Sequence, residues 1–158
     1  MVLALALEAG ALYYQYIMDY PPCVLCVHVR AWVLAIFVAA LLGLVLRHSQ
    51  WGLVFANALT LGSALGMLER SYQTLGVEMG WVEGSCGNMQ ANFPSWLQLD
   101  EWLPAVFKPL DSCGMTPWLI PQFLSMAQGL VLIAGALSVM LLILLIASFF
   151  YRQTMPTY

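Results

Sequence analysis

Apolar residues in this chain fall in long runs that charges interrupt only rarely. Residues 31–46 carry no charge, and the apolar run reaches back to Val27. Residues 48–68 carry none when His48 is neutral. The gap at 112–151 is the longest, and 123–151 is its most apolar part. The first 18 residues are apolar apart from Glu8 and Gln15. A helix needs about 20 such residues to cross the hydrocarbon of a bilayer. The pattern therefore predicts four helices, over 2–18, 27–46, 51–69 and 122–151. The last is longer than one crossing requires and is expected to tilt or project.

The connections are unequal. Residues 19–26 form a short loop, Arg47-His48-Ser49-Gln50 a tight turn, and 70–117 one long connection. Pro94, Pro104, Pro109 and Pro117 make the long one irregular, with short helical pieces. Within it, Trp96–Phe107 carries Trp96, Leu97, Leu99, Trp102, Leu103, Val106 and Phe107. Aromatic residues favour the membrane interface, so the stretch predicts a short helix on the outer leaflet. A packed lid over the helices is the alternative.

Composition agrees. The chain of 158 residues is 62% hydrophobic and 8% charged, against about 25% charged in ordinary soluble domains. That excludes a soluble enzyme, and a net charge of −3 leaves no basic footprint for nucleic acid. The expectation is one all-α, multi-pass membrane domain over 1–158, an antiparallel four-transmembrane-helix bundle embedded in the lipid bilayer. Ala9-Gly10-Ala11 could pass for a signal-cleavage site, but no Lys or Arg precedes the apolar run, which favours a first span.

Four crossings put both termini and the 47–50 turn on one side. That side carries Arg47 and Arg152 and no acid. The other carries Arg30, Arg70 and Lys108 against Asp19, Glu69, Glu78, Glu83, Asp100, Glu101 and Asp111. The positive-inside rule then makes the turn and the termini the cytoplasmic candidates. Loops 19–26 and 70–117 face the other way.

All four cysteines lie in those two outer loops: Cys23 and Cys26 in the first, Cys86 and Cys113 in the second. An even count confined to one side suggests disulfides in an oxidising compartment. A four-cysteine zinc site would call for a second CxxC, so no metal is expected. A CxxC disulfide closes too small a loop to constrain the unfolded chain much and is better suited to exchange. Pro21-Pro22 block a helix from upstream, so Cys26 opens the second span. The helix N-terminus stabilises a thiolate, and Arg30 lies one turn further on. On these grounds Cys26 is expected to have the most depressed pKa of the four. Cys86-Gly87 and Cys113-Gly114 each put a flexible residue after the sulfur.

With these motifs the sequence resembles the DsbB family of bacterial membrane disulfide oxidases over nearly its whole length. The resemblance rests on Pro22-Cys-Val-Leu-Cys26 with Arg30 and on the order of CxxC before the loop cysteines. It rests also on Phe93-Pro-Ser-Trp-Leu-Gln-Leu-Asp-Glu-Trp-Leu-Pro104, where Gln98 replaces a family proline. Vitamin K epoxide reductase relatives have the reverse cysteine order. A disulfide-stapled subunit without activity is the other alternative.

The resemblance implies an enzyme of the bacterial inner membrane that sustains protein disulfide bond formation, with its cysteines facing the periplasm and both termini cytoplasmic. It implies the disulfides Cys86–Cys113 and Cys23–Cys26, all four cysteines being catalytic. Cys86 is then the site of mixed-disulfide formation with a DsbA-like soluble oxidase. Cys23 exchanges with the loop pair, and Cys26 faces a quinone, ubiquinone or menaquinone, that accepts the electrons. Arg30 matches the arginine near the quinone. Gln73 stands where some members have a histidine, and Glu8 where the family often has an acid. Gln15, Asn57 and Gln128 are expected to hydrogen-bond between helices.

Overall fold

The computed structural model describes residues 1–81, 93, 98–110, 118–120 and 124–151. Four long helices follow the charge-poor runs: α1 (Val2–Tyr16), α2 (Val24–Val45), α3 (Gln50–Glu78) and α6 (Met126–Tyr151). Between α3 and α6 lie two single-turn helices, α4 (Leu99–Trp102) and α5 (Pro104–Phe107), and two short strands, β1 (Trp118–Ile120) and β2 (Leu124–Ser125). The strands pair antiparallel, with Trp118 opposite Ser125 and Ile120 opposite Leu124. The described residues are thus all-helical, as expected, apart from that one small ladder.

Among the described residues, three helices are long and apolar enough to cross a membrane: Val24–Val45, Trp51–Glu78 and Met126–Phe149. The first helix is shorter than the 2–18 expected. Its 15 residues rise about 22 Å, against about 30 Å of hydrocarbon. Its helical path ends at Tyr16, and Asp19 then takes a left-handed turn at φ 58° before the two prolines. α3 instead overruns its expected end at residue 69. Glu69 and Arg70 interrupt the apolar run but not the backbone hydrogen bonding. They join Gln73 on one helix face, Arg70 Nη1 donating to Gln73 Oε1 at 3.0 Å and Gln73 Nε2 to Glu69 Oε1 at 3.3 Å.

One apolar cluster draws on all four long helices: Ala4 from α1, Val29, Val33 and Ile36 from α2, Ala64 and Met67 from α3, and Ala134 from α6. α3 packs along both α2 and α6, while α1 leans chiefly on α2. Small residues let the backbones approach, as is usual where lipid removes the hydrophobic drive between helices. Gly66 is the clearest case: a Cβ there would stand 2.6 Å from the Trp32 ring. The buried hydroxyls of Thr60, Ser71, Thr74 and Ser138 each donate to the carbonyl four residues back, so no polar hydrogen is left unbonded among them.

Three helix starts are capped by their own side chains, that of α3 by Ser49 Oγ, which accepts from the Gly52 N–H at 3.5 Å. Ser125 Oγ accepts from the Gln128 N–H while Gln128 Oε1 accepts from the Ser125 N–H, a capping box at the head of α6. Gln128 therefore acts within its own helix, against the expectation that it bonds between helices. Ser125 also donates to Glu78 Oε2 at 3.1 Å, which ties the end of α3 to the start of α6. α2 is capped by Cys23, whose Sγ accepts from the Cys26 N–H at 3.3 Å.

The stretch expected as one interfacial helix is broken. Proline has no N–H and disfavours helix in the residue before it. Leu103, at φ −133° and ψ 64°, separates α4 from α5, and Pro104 opens the latter. Leu99 and Phe107 are buried against Val27 of α2, with Phe93, Ala31 and Val106 around them, while Trp102 and Leu103 stay exposed. Within the described part of 96–107 the segment is thus a strap packed over the head of α2. Trp96 and Leu97 lie outside the described residues.

Candidate functional site

The proline pair ends one helix path and the Cys23 cap begins another, so the CxxC sits where the α1–α2 linker becomes helix. Cys23 is extended, at φ −80° and ψ 166°, and Cys26 is in the first turn. That geometry folds the side chains towards each other. The two sulfurs are 2.7 Å apart in hydrogen-bond contact, and the structure holds them as free thiols. Cys23 is buried.

The Cys23 thiol is pulled from 9.0 to about 7, chiefly by the hydrogen bond from the Cys26 side chain. Burial opposes the shift and backbone N–H groups at the helix start assist it. The thiolate is therefore favoured at Cys23, not at Cys26 as the proximity of Arg30 suggested. The chief reason is the bond from the Cys26 side chain, and the N-cap position adds the unpaired N–H groups of the first turn.

Arg30 is buried, with 6% of its surface exposed. Its Nη1 donates to Gln15 Oε1 at 2.6 Å and to the Val106 carbonyl at 2.9 Å, and its Nη2 to the Ala11 carbonyl at 3.1 Å. One cation thus joins α1, α2 and α5. Gln15 and Tyr16 add bonds to the Ala105 carbonyl, at 3.2 and 2.7 Å. The Leu110 N–H reaches the Pro22 carbonyl at 3.0 Å, next to Cys23. His28 stacks edge-on to Phe93 at 5.2 Å.

Beside the dithiol, α1, the linker, α2, α3 and α6 enclose a largely apolar cavity of about 200 Å³. Cys23, Cys26, Arg30 and Glu8 all face it, together with Tyr14 and Thr74. Both carboxyl oxygens of Glu8 are shielded from solvent and have no hydrogen-bond partner. Four of the seven residues singled out from sequence thus converge. Gln73 does not: it is engaged with its own helix neighbours, while Thr74 beside it faces the cavity. Cys86 and Cys113 lie outside the described residues. Tyr14 and Thr74 carried no distinguishing sequence signal. Gln15 did, as a polar residue in an apolar run. No cluster of His, Cys, Asp or Glu able to hold a metal ion occurs among the described residues.

A family model, Disulfide bond formation protein DsbB, matches residues 1–145. The chain belongs to the DsbB family. It is 35% identical to Disulfide bond formation protein B of Photorhabdus laumondii over 95% of this chain and 88% of that one. It is 37% identical to the protein of the same name from Haemophilus influenzae, over 91% and 81%. The Shewanella denitrificans relative is 30% identical over 100% and 90%. The membership and the three apolar helices make this a multi-pass membrane protein and a DsbB-family oxidoreductase of disulfide bond formation.

Proposed function

We propose that this DsbB-family chain oxidises a DsbA-like periplasmic dithiol protein and delivers the electrons to membrane quinone. The observation that carries the reading is the CxxC dithiol opening onto an apolar cavity between membrane helices, beside one buried cation and one unpartnered carboxyl. In this reading α1 completes a four-span antiparallel bundle in the bacterial inner membrane. Both termini are then cytoplasmic, and the connection from α3 to α6 is periplasmic.

The cavity residues fit a quinone head group. Apolar side chains would hold the ring, while Arg30, and Glu8 when protonated, would donate to its oxygens. Cys26 is the cysteine on α2 that faces it. When bound, the quinone supplies a two-electron, two-proton sink. The remaining steps are thiol exchange. A partner thiolate attacks the Cys86–Cys113 disulfide at Cys86, and its second thiol resolves the mixed disulfide, leaving both loop cysteines reduced. A loop thiolate then attacks the Cys23–Cys26 disulfide and the loop pair closes again, leaving Cys23 and Cys26 as the dithiol. Leu110, tied to Pro22, precedes Cys113 by three residues, an extended reach of about 10 Å.

Magnitudes decide where the driving force comes from. DsbA-type oxidants sit at about −120 mV and ordinary structural disulfides below about −300 mV, a gap of about 8 kcal/mol for two electrons. A Cys23 pKa of about 7 instead of 9.0 stabilises the reduced pair by only about 0.4 kcal/mol at pH 7, about 10 mV. The thiolate cannot close the gap, so the quinone must pull the sequence forward.

The test is purified protein in lipid nanodiscs with a reduced DsbA-like protein, run with ubiquinone or menaquinone analogues. Thiol loss in the partner matched one pair per quinone reduced is expected. Thiol loss independent of quinone, or disulfides that do not exchange, would overturn the reading.

A further inference from the structure

Passing two electrons from a dithiol to a quinone also moves two protons, and here the transfer takes place in a largely apolar cavity. The titratable side chains facing the cavity are Glu8 and Tyr14 from α1, Tyr20 and Cys23 from the linker, and Cys26 and Arg30 from α2. Among the described residues α3 and α6 offer none. Arg30 is engaged with Gln15, Ala11 and Val106. Arginine does not deprotonate in proteins. Glu8 differs from all of these. Both of its oxygens are buried and bond to nothing, although an unpartnered carboxyl is costly in a low-dielectric place. Such a group persists where an occupant of the cavity, or a proton, is its partner.

We propose that Glu8 is the proton carrier between the Cys23–Cys26 dithiol and the electron acceptor of the cavity. The assignment rests on the quinone-linked reading above. In the step two S–H bonds break, the Cys23–Cys26 bond forms, two electrons pass to the quinone, and two O–H bonds form on it. The Glu8 carboxylate takes the Cys26 proton and gives it to a quinone oxygen. The Cys23 proton follows through the sulfur–sulfur contact and the same carboxyl. Glu8 ends in the protonation state in which it began.

The experiment compares the wild-type chain with Glu8→Gln, which keeps size and hydrogen bonding but cannot carry a proton, and with Glu8→Asp, which can. In quinone reduction Glu8→Gln is expected to lower kcat about 10²-fold, the scale of proton-transfer catalysis, with KM for quinone within about twofold. Glu8→Asp should recover a large part of the loss, and thiol exchange with the soluble partner should continue in both. A second readout needs no quinone. Infrared difference spectra between reduced and oxidised CxxC should contain a carboxyl band that Glu8→Gln lacks. An unchanged kcat, a raised KM with kcat intact, or no such band would overturn the assignment. Failure of the wild-type chain to couple thiol loss to quinone would overturn the functional reading and this assignment with it. An active wild type with an equally active Gln variant overturns the assignment alone.

Discussion

Replacing Cys26 by Ala removes the side chain that contributes most to the low Cys23 pKa. The backbone N–H bond from residue 26 stays. If the side-chain bond accounts for most of the shift, Cys23 should titrate close to 9. At pH 7 the thiolate fraction would then fall from about one half to about one hundredth, a loss of about 50-fold. The assay is the pH dependence of alkylation by a small reagent, read at the Cys23 peptide by mass spectrometry, in the reduced protein with Cys86 and Cys113 replaced by Ser. The rate at pH 7 should drop about 50-fold in Cys26→Ala while the rate at pH 10 changes little. The same shift has a stability counterpart. Because the folded pKa is depressed, the contribution of Cys23 is present above the unfolded value near 9.0 and lost as pH falls through about 7. Its full size is about 3 kcal/mol. An alkylation midpoint that is the same with and without the Cys26 side chain would refute the account and leave the backbone N–H and helix end as the cause.

Other outcomes follow from single contacts. Gly66→Val forces a side chain into the Trp32 ring and should destabilise the α2–α3 contact by about 1–3 kcal/mol, read as a lowered melting temperature in detergent. Arg30→Met removes the bond from α2 to α5 and those from α2 to α1, leaving only the Gln15 and Tyr16 bonds to Ala105, so protease cutting within 103–110 should accelerate several-fold and the quinone KM should rise; unchanged values for both would sink its joint role. Cys86→Ser should abolish oxidation of the soluble dithiol while leaving quinone binding in place, and turnover retained in that variant would remove Cys86 from the entry position.

Span positions were readable because membrane transfer sums over about 20 neighbouring residues, and gaps between charges measure that sum directly. The ends were less readable. α3 continues through Glu69 and Arg70 because charge opposes lipid, not helix. α1 stops at Tyr16 because of the turn at Asp19 and the two prolines. The amphipathic stretch was found but not its fold, since the break at Leu103 is Pro104 acting on its neighbour. The CxxC, Arg30 and Glu8 stood out as rare polar residues beside apolar runs, whereas Tyr14 and Thr74 matter only by what they face.

Local sequence, then, determined that the chain crosses a membrane and that its chemistry is sulfur chemistry at the head of α2. Both are properties of neighbouring residues. Tertiary structure decided where the Arg30 charge is used and that Glu8 shares a cavity with the dithiol. The Arg30 guanidinium reaches the Val106 carbonyl, 76 residues away, and the cavity draws its wall from every long helix. In a low-dielectric interior a polar group takes its properties from whatever it touches, and those partners are fixed only when distant segments pack.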